Sequence, residues 1–205
     1  IVDNGGGPCT FSTYNFNNFD SGWGIWNDDG TDCVLRDNGS YNYSGIGSVR
    51  LRDNTSTSTM TTDNMDLSSY DEIRVDFTYI TNSMDNANED FWLQISTNGG
   101  SSFTTVEEWN LNDEFVNNVR EFDAVTITGP FTANTKLRFR CDASGNQDWV
   151  YIDDVLIEVC GNGGTGANDM LTEQSQENTS VVINQTTKLD QIKLFPNPSS
   201  EDVKI

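Results

Sequence analysis

The 205 residues are enough for one folded domain and an appendage, and 32 acidic side chains against 11 basic ones give a formal charge of −21. That balance excludes nucleic acid as a partner, because phosphate binding needs a basic footprint; the lack of any histidine removes the commonest general base and a frequent zinc ligand. No stretch is long and apolar enough to span a membrane, and abundant Asn, Asp, Ser, Thr and Gly beside 11% aromatic residues favour short strands joined by many turns.

Residues 1–9 read as a linker remnant with three consecutive glycines. No signal peptide opens the chain, and it starts at Ile1 rather than Met, which implies that an upstream part has been removed. Residues 10–17 enter a first strand. Phe19-Asp20-Ser21-Gly22-Trp23-Gly24-Ile25-Trp26-Asn27-Asp28-Asp29-Gly30 follows as a loop broken by Gly and Asp. Residues 33–36 form a short strand. Residues 47–53 alternate, with Val49 and Leu51 inward and Arg50 and Arg52 outward, since strand side chains point to opposite faces in turn. Residues 57–62 make another strand. Residues 71–81 place Ile73, Val75, Phe77 and Tyr79 on one face, and Arg74, Asp76 and Thr78 on the other.

Residues 89–97 are the stretch with most to say. Phe91, Leu93 and Ile95 share one face, which leaves Asp90, Trp92, Gln94 and Ser96 on the opposite one. A Trp among carboxylate and amide neighbours reads as a flat apolar platform on a polar sheet face, or else as ordinary packing beneath a loop. Asn98-Gly99-Gly100 then turns the chain into a hairpin with residues 103–109. Residues 119–128, 136–142 and 149–159 continue the series, and the last runs straight into Cys160. Nothing shows a 3.6-residue apolar period. The pattern predicts an all-β fold, an antiparallel two-sheet jelly-roll sandwich over residues 10–160.

Cys9, Cys33, Cys141 and Cys160 form no close pair, which argues for disulfides in an exported protein rather than a zinc site. Of three possible connectivities, Cys9–Cys160 with Cys33–Cys141 is favoured, because the first pair brackets the folded segment. From 161 to 191 Gly, Asn, Thr, Gln and Glu dominate, as in a flexible linker. Residues 192–205 regain apolar character and read as the start of a second, truncated domain.

Two resemblances rest on these stretches. Leu194-Phe195-Pro196-Asn197-Pro198-Ser199-Ser200, followed by Val203-Lys204-Ile205, resembles the beginning of the C-terminal sorting domain of the type IX secretion system of Bacteroidetes. It implies handling by that machinery, then release or attachment at the cell surface. Phe19-Asp20-Ser21-Gly22-Trp23 and Tyr151-Ile152-Asp153-Asp154-Val155 resemble segments of the jelly-roll modules of secreted bacterial polysaccharide-degrading enzymes and proteases, a group overlapping the MAM and carbohydrate-binding families. That likeness implies a structural Ca²⁺ where the first strand meets the last, held by Asp20 with Asp153 or Asp154.

The residues alone allow several chemistries. The 26 acidic against 8 basic side chains in positions 1–160 serve solubility, or a divalent cation with oxygen ligands. Asp153 and Asp154 interrupt an apolar strand; unless a bulge intervenes one must point inward, and a buried carboxylate needs a cation or an arginine. Arg50, Arg52, Arg74, Arg138 and Arg140 all fall on outward strand faces, as does Trp92. On one sheet they would make an arginine-bearing surface able to grip a polysaccharide, including an anionic one, with Trp26 and Trp149 as further platforms. Otherwise each pairs with a carboxylate across strands. Catalysis finds little support: there is no nucleophile elbow, and the adjacent Glu107 and Glu108 diverge on a strand. A lyase using Tyr with Lys or Arg stays open. The reading is therefore a non-catalytic, secreted or surface-attached module that binds a glycan. The alternative is an adhesion or protein-interaction domain, or a spacer beside a protease.

Overall fold

The computed structural model describes residues 9–37 and 39–161, which hold eleven strands and no helix, hence no helix long and apolar enough to cross a membrane. In chain order the strands are β1 (Ser12–Asn17), β2 (Trp26–Asp28), β3 (Cys33–Arg36), β4 (Ser48–Arg52), β5 (Thr59–Thr62), β6 (Glu72–Asn82), β7 (Asp90–Ser96), β8 (Thr104–Asn110), β9 (Arg120–Thr128), β10 (Lys136–Asp142) and β11 (Trp149–Cys160). They form an antiparallel two-sheet sandwich of jelly-roll type. The first sheet runs β3-β4-β11-β6-β9, with β1 also on β11; the second runs β2-β5-β10-β7-β8. Length lets β11 organise the first sheet. Its residues 149–152 pair with β4, residues 155–159 pair with β1, and β6 accompanies nearly the whole of it.

Period-two alternation supplies the core. Val49, Leu51, Ile73, Val75, Phe77, Val150, Ile152, Val155 and Ile157 come from the first sheet, and Met60, Phe91, Leu93, Leu137 and Phe139 from the second; all are fully buried. Aromatic rings lock the two layers together. Phe77 meets Trp109 edge-on at 5.2 Å and Phe139 at 4.8 Å, while Phe91 stacks on Trp109 at 4.9 Å. Each ring so buried contributes about 1.5–3 kcal/mol.

The loop expected around Trp23 and Trp26 contains β2, and Trp26 is a core residue at 1% exposure, 5.7 Å from Phe139. It is not a platform. With only three residues, β2 is too short to show a period.

Cys9 and Cys160 are disulfide-bonded, with Cα atoms 5.8 Å apart, as expected. The second expected bridge is absent, and Cys33 and Cys141 are free, buried thiols. Cys33 lies in the first sheet and Cys141 in the second. A bridge between facing layers forms only where the two Cα atoms come within about 4.4–6.8 Å with converging Cβ directions, and placement on opposite sheets does not itself supply that. Burial pushes both thiols well above the usual range, so they behave as small apolar side chains. The linker and sorting-domain readings at 162–205, and the linker remnant at 1–8, lie outside the described residues.

Candidate functional site

The outward face of the second sheet carries the predicted platform. Register places Thr61, Arg138, Gln94 and Thr105 in one row across β5, β10, β7 and β8. The next row is Thr59, Arg140, Trp92 and Glu108, and the one beyond is Asp142, Asp90 and Asn110. Trp92 is half-buried, neither sealed in the core nor lying free. The Arg140 guanidinium lies 5.0 Å from its ring centroid, a cation–π contact that fixes the indole in place.

The neighbours are tightly set. Arg138 donates from Nε to Gln94 Oε1 at 2.8 Å and lies over the Phe103 ring at 3.7 Å. Gln94 in turn donates to Thr105 Oγ1 at 3.1 Å. Arg140 donates to Asn54 Oδ1 at 2.7 Å. Among the described residues neither arginine is in an ion pair; the three ion pairs there all involve Arg52 or Arg74. Burial, and then the adjacent Arg140, pull the Arg138 guanidinium below its usual range. Asp90 is 7% exposed, and burial with help from Asp142 and Glu108 raises its pKa to about 7. Trp92 Nε1, Arg140 Nε and Asp90 Oδ1 are buried without protein partners. The face thus runs from cationic at Arg138, through the indole, to acidic at Asp90.

Beside Arg138 the face deepens into a depression of about 400 Å³, bordered by the Gly99-Gly100 turn. Both glycines have positive φ, 71° and 90°, which a hairpin turn here requires. Lys136 and Phe103 line it, as do Asp29, Thr59 and Thr61. Asp29 Oδ2 accepts from Thr59 Oγ1 at 2.8 Å and Thr61 Oγ1 at 2.6 Å. Sequence reading missed these residues. Lys136 and the two threonines were visible as outward positions of their strands, but Asp29 and Phe103 flank turns and carry no periodic signal.

The other predicted residues do not join this face. Arg50, Arg52, Arg74 and Trp149 belong to the first sheet, on the far side of the sandwich. Arg52 pairs with Asp32 at 3.0 Å. Arg74 pairs with Glu158 and, at 3.1 Å, with Asp76. Arg50 is only 7% exposed and lies 5.4 Å from the Trp149 ring centroid. A strap of residues 39–47 covers that region: Tyr41 stacks on Tyr151 at 4.4 Å, and Arg120 donates to the carbonyls of Asn42 and Ser40. A single five-arginine surface is therefore not formed.

The expected cation site is also built differently. A bulge between Asp153 and Leu156, with Asp154 at φ 48°, keeps both carboxylates out of the core while Val155 enters it. Asp153 Oδ2 accepts from the amides of Tyr43 at 2.7 Å and Ser44 at 3.1 Å; Asp153 Oδ1 accepts from the Asp154 amide at 2.7 Å. Ser44 Oγ donates to Asp154 Oδ1 at 2.6 Å. Asp20 Oδ1 takes the amides of Ile46 and Gly47 at 2.6 and 2.7 Å, which hold its carboxyl below the usual range. That approach needs Gly45, whose missing Cβ would sit 1.8 Å from Asp20 Oδ2. N–H donors stand where a cation needs oxygen, and no group of three metal-ligating side chains occurs among the described residues. These aspartates instead pin the strap.

No protein-family model matches the chain, and no curated protein matches it. Solved structures do share its fold. The family 22 carbohydrate-binding module with attached xylanase module of Clostridium thermocellum xylanase 10B, solved with xylohexaose, superposes with a TM-score of 0.55 at 15% identity over 72% of this chain. This chain spans 28% of that two-module protein. The C-terminal family 22 module of the same enzyme gives 0.53 at 13% identity, covering 74% of this chain and 96% of the module. The xylan-binding domain of Paenibacillus barcinonensis Xyn10C gives 0.55 at 9% identity, covering 74% and 97%. At such identities the likeness shows one thing: the chain has the fold of these modules.

Proposed function

We propose that the described domain is a non-catalytic carbohydrate-binding module that receives a polysaccharide on the outward face of its second sheet. The observation that carries this reading is the half-open indole of Trp92, set among Arg138, Arg140 and Gln94 on a face whose arginines lack carboxylate partners. A sugar ring stacks on the indole, while the guanidinium groups hydrogen-bond its hydroxyls and the buried Gln94 holds Arg138 in place beneath them. Asp90 stands next to them as an acceptor. Solved modules of the same fold include one with xylohexaose and one named as xylan-binding, which supports the class of ligand.

The chain is read as exported and appended to a larger secreted enzyme. The Cys9–Cys160 bridge and the sorting-domain resemblance at 194–205 support export.

Affinity electrophoresis of the full chain through gels containing individual polysaccharides tests the proposal. Retardation by at least one glycan is expected, with Trp92→Ala weakening it ten-fold or more and Trp149→Ala, on the other face, leaving it intact. Equal retardation of wild type and Trp92→Ala would displace the site. No retardation by any glycan, together with capture of a protein, would favour the adhesion reading.

A further inference from the structure

The charge along this face is graded, and the grading specifies more than a generic sugar chain. At one end Lys136 and Arg138 border the 400 Å³ depression, and among the described residues neither is in an ion pair. Asp29, the acid on that rim, is turned toward the hydroxyls of Thr59 and Thr61 through one carboxylate oxygen; its charge acts on Arg138, and with Lys136 the cations of the rim still outnumber it. Arg138 is held flat by Phe103 and Gln94, which leaves its fork pre-set for a planar anion rather than free to sweep solvent. At the other end stand Asp142, Asp90 and Glu108, the first two paired across β10 and β7. Positions 1–160 as a whole hold 26 acidic and 8 basic side chains.

A densely charged polyanion laid along this face would meet cations at one end, carboxylates at the other, and repulsion from the whole domain. A wholly neutral chain would leave two cations and a shaped depression unused. Resting on the glycan reading of the face, we infer that the ligand is a polysaccharide with a neutral backbone and sparse carboxylate side groups, one uronate seating at Lys136 and Arg138 while uncharged sugars cross Trp92. The Thr59 and Thr61 side chains line the same depression and would face the uronate hydroxyls.

Two measurements on the full chain test this separately from the parent reading. In the first, NMR follows the Arg Nε–Hε signals during titration with sodium glucuronate, with glucose at matched ionic strength as control. Glucuronate is expected to move the Arg138 signal with a Kd on the order of 1–10 mM, glucose to leave it in place, and Lys136→Gln to weaken the effect several-fold. In the second, a glucuronoxylan is compared with the same polymer after its uronates are reduced to neutral sugars. The native polymer is expected to bind about 5–10-fold tighter at low salt, with the gap closing as salt is raised; Arg138→Gln is expected to shrink that ratio, and Arg74→Gln on the far face to preserve it. An unmoved Arg138 signal overturns the inference even if Trp92-dependent retardation by neutral glycans persists. Equal binding of the two polymers overturns it as well. Glucuronate binding at Arg138 without retardation by any polymer overturns the glycan reading, and the inference with it.

Discussion

Asp90 shows how one side chain can be legible in position and illegible in state. Its outward parity in residues 89–97 was plain, yet its 7% exposure and raised pKa follow from Asp142 and Glu108 arriving on neighbouring strands. The folded protein holds this proton to a pKa of about 7, whereas an unfolded carboxylate releases it near 4. The stability associated with Asp90 is therefore fully present below the unfolded value and is lost as the pH rises through about 7. Asp90→Asn keeps the shape and removes the charge, so thermal melts should show a gain of roughly 2–4 °C at pH 8 and a smaller one at pH 5. A gain independent of pH would refute the assignment. Trp92 is the converse case, since alternation gave its face and structure added only the guanidinium beside it. Arg50 fared worse: its parity was read correctly, but Trp149 and Tyr151 of β11, far along the chain, come to lie against it.

At the level of elements, the bulge in β11 and the strap at 39–47 form one device. Two adjacent aspartates were visible in the sequence as an anomaly, and a cation was a reasonable occupant. What sequence could not show is that backbone amides of the strap would come to them, because irregular loops carry no periodicity. Burial raises the pKa of Asp153 to about 6, opposing the amide bonds that favour its ionised form. Asp153→Asn keeps one acceptor for the Tyr43 and Ser44 amides but turns its NH2 toward the Asp154 amide, so the denaturant midpoint should fall, by less than in Asp153→Leu. Asp153→Leu should cost roughly 1–3 kcal/mol by stranding the Tyr43 and Ser44 amides, which circular dichroism in urea would report. Excess EDTA should leave the melting temperature within about 1 °C of its value in added calcium; a fall of several degrees would restore the metal reading. Nearly all strands were recognisable from alternation, the exception being β2, whose Trp26 looked like a surface aromatic because its strand is three residues long.

For the whole molecule, alternation says which residues face inward but not which sheet a strand will join. That is why jelly-roll architecture could be read from the chain whereas the arginine surface was drawn too large. β4 and β6 pair with β11, while β7 and β10 pair with each other, and those choices depend on partners far along the chain. The Cys9–Cys160 closure spans 151 residues, so on the chain-entropy model a Cys9→Ser/Cys160→Ser variant should lose about 5 kcal/mol, read as a lower guanidinium midpoint. An unchanged midpoint would mean that the bridge contributes nothing to the native balance. The placement of β11 has a temporal corollary. Because β1, β4 and β6 all take hydrogen bonds from the final strand, a chain emerging N-terminus first cannot assemble this half of the sandwich until residues 149–160 appear. Until that moment β1, β4 and β6 lack the strand that joins them, and residues 149–160 close the first sheet over a second sheet whose strands have all appeared already.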